Sequence, residues 1–135
     1  MSMRHYAVDD YGLLLTEETM KIIASTVCDD FDNMEEAEYG YALYDKDICE
    51  YIGEFTGEAN PILDDGLSDW ARGGEYYSYD QLYYVPVGSY PTLFRSAYEN
   101  MDALISEFKE KVGKYLPEDF DYRSNIRHIV GTYFG

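Results

Sequence analysis

The sequence predicts a small α+β domain in which two main helices pack on an antiparallel or mixed sheet of about three to four strands. Three observations carry that reading. Apolar residues recur at three- and four-residue steps in two separate stretches, 20–31 and 94–115. Runs rich in aromatic and β-branched residues lie between and after them, at 50–58, 76–85 and 125–134. Breaks at Asn60-Pro61, Gly73-Gly74 and Pro117 keep these stretches apart. A length of 135 residues fits one domain over 1–135, with no internal repeat, linker or low-complexity tail.

The first helix is expected over 17–32. Thr16 suits an N-cap, and Glu17 and Glu18 suit the positive end of the helix dipole. Met20, Ile23, Ala24, Val27, Cys28 and Phe31 form its apolar stripe. Its last turn carries Asp29, Asp30 and Asp32, the wrong sign for the negative end of the dipole. A local rule broken in this way points to a functional surface. From 33 to 44 the pattern is mixed: 34–38 suits a continued or second short helix, while Tyr39, Tyr41 and Leu43 alternate as in a strand. A strand follows at 50–58, then turns at Asn60-Pro61 and Asp64-Asp65-Gly66, a loop at Gly73-Gly74, and a strand at 76–85 that should pair with its predecessor.

Pro91 fits the first turn of the longest helix, expected over 92–116. Phe94, Ala97, Met101, Leu104, Phe108 and Val112 give it a continuous stripe, Lys109, Lys111 and Lys114 complement its carboxyl end, and Pro117 stops it. In the terminal strand, Ile126, His128, Val130, Thr132 and Phe134 share one side, with Ile129 and Tyr133 on the other. Apolar residues on both sides place that strand inside the sheet. No element is assigned to the first fifteen residues. Their longest aliphatic run, Leu13-Leu14-Leu15, falls far short of the ~20 residues a membrane span needs. The opening six residues lack the apolar stretch of a secretion signal, so a cytoplasmic protein is expected, with no membrane contact.

Charge is the most unusual property. Up to Asp80 there are twenty Asp/Glu against four Lys/Arg, net −16, whereas the remainder has seven against six. Such asymmetry costs stability through self-repulsion and opposes direct binding to nucleic acid. It suits a partner with a basic surface, and a nucleic-acid-binding protein is the sharpest case. Rows of carboxylates approximate the phosphate pattern of a duplex, so the chain reads as a nucleic-acid mimic or inhibitor of bacterial mobile-element type. The residues assigned to partner contact are Asp29, Asp30, Asp32, Glu35, Glu36, Asp45, Asp47, Asp64, Asp65 and Asp69, with Trp70, Tyr76 and Tyr77 as aromatic anchors. In a helix running through this region, Asp29, Asp32 and Glu36 would align on one face.

Enzymatic signatures are missing from the sequence: no nucleophile elbow, zinc-protease motif, phosphate loop or dinucleotide fingerprint occurs. His5 and His128 are the only histidines, and a structural niche suits His128 better than a general base. Cys28 and Cys49 form no metal or redox spacing, and a buried reduced thiol is expected at Cys28. Asp45, Asp47 and Glu50, or Asp64, Asp65 and Asp69, offer oxygen ligands but match no calcium loop, so neither a metal nor a cofactor is expected. The alternatives to a partner surface are a small carboxylate-dependent hydrolase, an acidic protein homodimerising through tyrosine-rich strands, and charge that serves solubility alone.

Overall fold

The computed structural model describes residues 5–33, 35, 43, 46–61, 82–87 and 100–134. The strands are β1 (His5–Leu15), β2 (Gly53–Pro61), β3 (Leu82–Pro86) and β4 (Ile126–Phe134). The helices are α1 (Glu17–Val27) and α2 (Met101–Val112), with 3-10 turns at Phe31–Asn33, Asp47–Tyr51 and Gly113–Tyr115 and a one-turn helix at Tyr122–Asn125. The α+β class and a sheet of four strands agree with the sequence, although β1 falls where no element was expected. The sheet, however, does not lie open under the helices: it closes into a barrel in the order β1-β3-β2-β4, and every pairing is antiparallel.

Every strand serves two neighbours, and β1 and β2 divide their lengths between theirs. Residues 5–13 of β1 pair with β4, and residues 12–15 pair with β3. Residues 53–55 of β2 pair with β3, and residues 56–61 pair with β4. Through β4, Gly57 of β2 lies level with Val8 of β1; through β3, Gly53 lies level with Leu14. Four residues back along β2 therefore match six forward along β1, a stagger of ten residues on going once around the barrel. For four strands, that stagger demands steeply tilted strands. Gly57 and Gly131 face each other where β2 crosses β4. A Cβ on Gly57 would collide with the Val130 carbonyl, and one on Gly131 with the Thr56 carbonyl. Only a side chain of a single hydrogen lets the two backbones approach so closely.

Alternation along β1 sorts its residues between two cores. Leu14 joins Phe55, Ala59, Tyr84 and Ile129 inside the barrel. Leu13 and Leu15 point outward, where Ile23 and Ala24 of α1 and Phe108 and Val112 of α2 cover them together with Val85 and Ile126. A run of three leucines is thus buried on both faces of one strand. Strand β1 escapes a period-two reading because its other half carries Asp9, Asp10 and Gly12, which are poor strand formers. Strand β4, paired along both edges, lies inside the sheet as its two apolar sides require.

Other boundaries move for local reasons. Helix α1 begins as expected, with the Thr16 hydroxyl accepting the Thr19 N–H at 3.2 Å. It ends at Val27, not 32: Cys28 turns extended, and its N–H donates to the Ala24 carbonyl. Continuing would have placed Asp29, Asp30 and Asp32 against the negative end of the dipole, with no basic residue in that turn. The strand expected at 50–58 runs three residues later, because Asp47–Tyr51 forms a 3-10 turn. Helix α2 starts at Met101, not 92, because Asn100 is a turn residue at its N-cap position, and it ends at Val112, tightening into the turn Gly113–Tyr115 before Pro117; residues 92–99 lie outside the described residues, as do 76–81 of the strand expected at 76–85. Asp121 caps the one-turn helix, its carboxylate accepting the Ser124 hydroxyl at 2.6 Å and the Ser124 N–H at 3.1 Å. Those bonds hold its carboxyl below the usual carboxylate range.

Three glycines test the closure. Gly57→Ala and Gly131→Ala are each expected to lower unfolding free energy by about 1–3 kcal/mol or more, since the new methyl meets backbone that cannot yield without breaking the ladder. Gly113→Ala is expected to raise it by about 0.4–1 kcal/mol, because the residue is already helical and its Cβ would only touch the Tyr122 hydroxyl at 3.5 Å. Urea unfolding of the three variants measures both signs.

Candidate functional site

Five of the residues expected to touch a partner are described. Asp29 and Asp30 occupy the turn after α1, Asp32 lies in the turn Phe31–Asn33, Glu35 follows it, and Asp47 opens the separate turn Asp47–Tyr51; all five are exposed. Among the described residues no cation pairs with the carboxylates of Asp29, Asp30, Asp32 or Asp47. The helical row of Asp29, Asp32 and Glu36 does not form as expected, because α1 stops before Asp29. Asp29 and Asp30 instead lie in a turn and Asp32 in the 3-10 turn that follows. Glu36, Asp45, Asp64, Asp65, Asp69, Trp70, Tyr76 and Tyr77 lie outside the described residues.

A second locus was not foreseen. Tyr84 lies over two glycines of neighbouring strands: a Cβ on Gly12 would come within 2.7 Å of its ring, and one on Gly53 within 2.9 Å. Its ring meets Phe55 edge-on, with centroids 5.5 Å apart and planes at 89°. Its hydroxyl donates to Asp10 Oδ2 at 2.7 Å. Beside this ring opens a cleft of about 450 Å³. Met20, Leu43 and Ile52 give it an apolar floor, and Tyr6, Tyr83, Tyr84 and Tyr133 give it aromatic walls. Tyr6 and Tyr133 continue the inward-facing rows of β1 and β4 past the filled core, face each other across the strand pair, and stack at 6.2 Å. Both are substantially exposed, at 49% and 39%.

What hides this cleft from sequence reading is its construction. Its residues come from β1, α1, the Asp47–Tyr51 turn, β2, β3 and β4, so no local spacing brings them together. The one visible signal is the excess of tyrosine, sixteen in the chain.

A third grouping lies on the outer face. His128, only 5% exposed, is bound through Nε2 to Asp9 Oδ1 at 2.6 Å. Its ring centroid is 5.3 Å from that of Tyr11, its neighbour across β1 and β4. The carboxylate accepts from Nε2–H and fixes the imidazole in place. Burial, helped by the Asp9 charge, pushes the Tyr11 hydroxyl up to about 12. Neither ring lines the cleft. The niche expected for a strand histidine is therefore a tied, packed imidazole.

Among the described residues, no three His, Cys, Asp or Glu side chains gather as a metal ion would require, and no helix is long and apolar enough to cross a membrane. Cys28 is buried and Cys49 half-buried, both as free thiols. No protein-family model, curated protein sequence or solved structure matches the chain.

Tyr11 makes a prediction at alkaline pH. Its ionisation is harder in the folded protein, so the neutral ring contributes stability that is fully present below its ordinary pKa, near 10, and is lost as pH rises towards about 12. Unfolding free energy is expected to fall across that window in the wild type and to fall less steeply in Tyr11→Phe. Urea titrations at successive alkaline pH values measure the two slopes.

Proposed function

We propose that this protein is an acidic interaction module that engages a basic partner surface. One observation carries the reading: Asp29, Asp30, Asp32 and Asp47 are exposed and form no ion pair with a cation among the described residues, in a chain with net −16 up to Asp80. Carboxylates kept only for solubility are readily interspersed with cations, as they are in the carboxyl-terminal part, where Glu107 pairs with Lys111 at 3.5 Å. Concentrated, unpaired charge raises the rate of encounter with an oppositely charged surface and favours release at high salt. A nucleic-acid-binding protein is the partner this charge suits best, which makes mimicry of a phosphate backbone, in a protein of bacterial mobile-element type, the finer form of the proposal.

The alternatives have less support. A homodimer built by strand pairing needs a free edge, and the four described strands are closed on one another. A carboxylate-dependent hydrolase needs two facing carboxyl groups, whereas Glu54 is the one carboxylate among the described residues lining the cleft.

The test is the salt dependence of association with a basic protein captured from bacterial lysate and purified. Between about 0.05 M and about 0.5 M salt, affinity is expected to fall at least tenfold, mainly through the association rate. The triple variant Asp29→Asn/Asp30→Asn/Asp32→Asn is expected to lower that rate at low salt. Heparin or duplex DNA should displace the protein if it acts as a mimic. An affinity indifferent to both salt and the triple variant refutes the proposal.

A further inference from the structure

We infer that the cleft beside Tyr84 is a binding site for a small organic cation, an alkyl- or arylammonium compound. Its volume of about 450 Å³ falls within the range of small-molecule sites. Four of its described lining residues are tyrosines: Tyr6, Tyr83, Tyr84 and Tyr133. Aromatic faces carry negative electrostatic potential and attract ammonium groups, the basis of the aromatic cages that recognise quaternary amines. Glu54, on the same wall, faces Tyr83 across the β2–β3 pair and supplies the formal countercharge. None of the described lining residues is Lys, Arg or His, so no cation among them competes for the site.

The floor decides which cation fits. Met20 and Leu43 are buried hydrophobic side chains that offer no oxygen ligand to a hard metal ion. An ammonium group bearing apolar substituents satisfies both surfaces, with charge towards Glu54 and the tyrosines and hydrocarbon towards the floor. The walls are also held in place. The Tyr84 hydroxyl is bound to Asp10, and its ring is seated on Gly12 and Gly53 before any ligand arrives. Less ordering entropy is then lost on binding. The site is independent of the proposed partner surface, since none of Asp29, Asp30, Asp32 and Asp47 lines it.

Calorimetric titration with choline and with its uncharged isostere 3,3-dimethylbutan-1-ol separates charge from shape. Choline is expected to bind at least about fivefold more tightly, the margin a cation–π contact gives. Glu54→Gln and Tyr133→Leu are each expected to weaken choline about fivefold or more, and thermal melts near that of the wild type show that both variants fold. Cys49 lines the cleft while Cys28 is buried, so benzyltrimethylammonium should slow alkylation of Cys49 by iodoacetamide. The triple variant Asp29→Asn/Asp30→Asn/Asp32→Asn should leave the titration unchanged. Equal binding of the uncharged isostere overturns the inference. So does choline binding that survives both cleft variants, or that is lost in the aspartate variant while Glu54→Gln retains it.

Discussion

Tyr84 occupies the strip where the barrel closes, and much of the molecule depends on how it is seated. Strand β3 has only five residues, yet it must join the end of β1 to the start of β2. A short strand contributes few ladder bonds, so side-chain packing has to secure it. Removing the side chains of Gly12 and Gly53 gives the large ring a bed on both neighbours, and Phe55 meets it edge-on from the barrel interior. Asp10 then fixes the remaining degree of freedom by accepting the hydroxyl hydrogen. A hydrogen bond to an ionised acceptor is worth about 1.5–3 kcal/mol, less where water reaches the carboxylate, so burial of the ring supplies the greater share.

The same closure determines where the helices can go. Once Leu14 is committed to the interior, Leu13 and Leu15 are committed outward by the two-residue period of the strand. A register slip of one residue would exchange these faces, turning Leu14 towards the helices and Leu13 and Leu15 into the narrow interior. The outward leucines need cover, and α1 follows β1 after Thr16 alone, which leaves it little choice but to fold back over them. Helix α2 completes the cover with Phe108 and Val112, both fully buried. The Thr26 hydroxyl donates to the Ile22 carbonyl at 3.0 Å and lies 3.4 Å from the Tyr115 carbonyl, so the end of α1 sits against the turn that follows α2. Barrel and helical layer are therefore one construction.

Legibility in the sequence follows from whether a signal is local. The start of α1, the stripe of α2 from Met101 to Val112 and the interior position of β4 could all be read, because each rests on a cap or a period within a few positions. The early end of α1 was misplaced because the apolar stripe continues to Phe31, while three aspartates act against the helix dipole; the electrostatic signal prevailed over the periodic one. Strand β1 was invisible for a different reason. Its aspartates and glycine look like loop, and only the tertiary contacts of Asp9 with His128, Asp10 with Tyr84 and Gly12 with the Tyr84 ring explain them. Barrel closure and the cleft are wholly non-local, since pairing of β1 with β4 joins residues at opposite ends of the chain.

Those same aspartates connect the fold to the acidity. Asp9 and Asp10 are adjacent on a strand, point to opposite faces, and each holds an aromatic ring through one hydrogen bond. They are acidic residues with structural work, unlike Asp29, Asp30 and Asp32 on their irregular segment. The net charge of −17 is therefore not one property serving one end. Part of it seats rings in the barrel, and part is exposed beyond α1. At the cleft, Glu54 is the described carboxylate within the lining, and exposed charge farther away than about 8–10 Å is largely screened at ordinary ionic strength. A molecule with this field concentrates cations near its surface whatever their size. Under the two proposals, selection between a basic protein and a small ammonium compound would be left to shape: the irregular segment after α1 would meet the first, and the tyrosine-lined cleft the second.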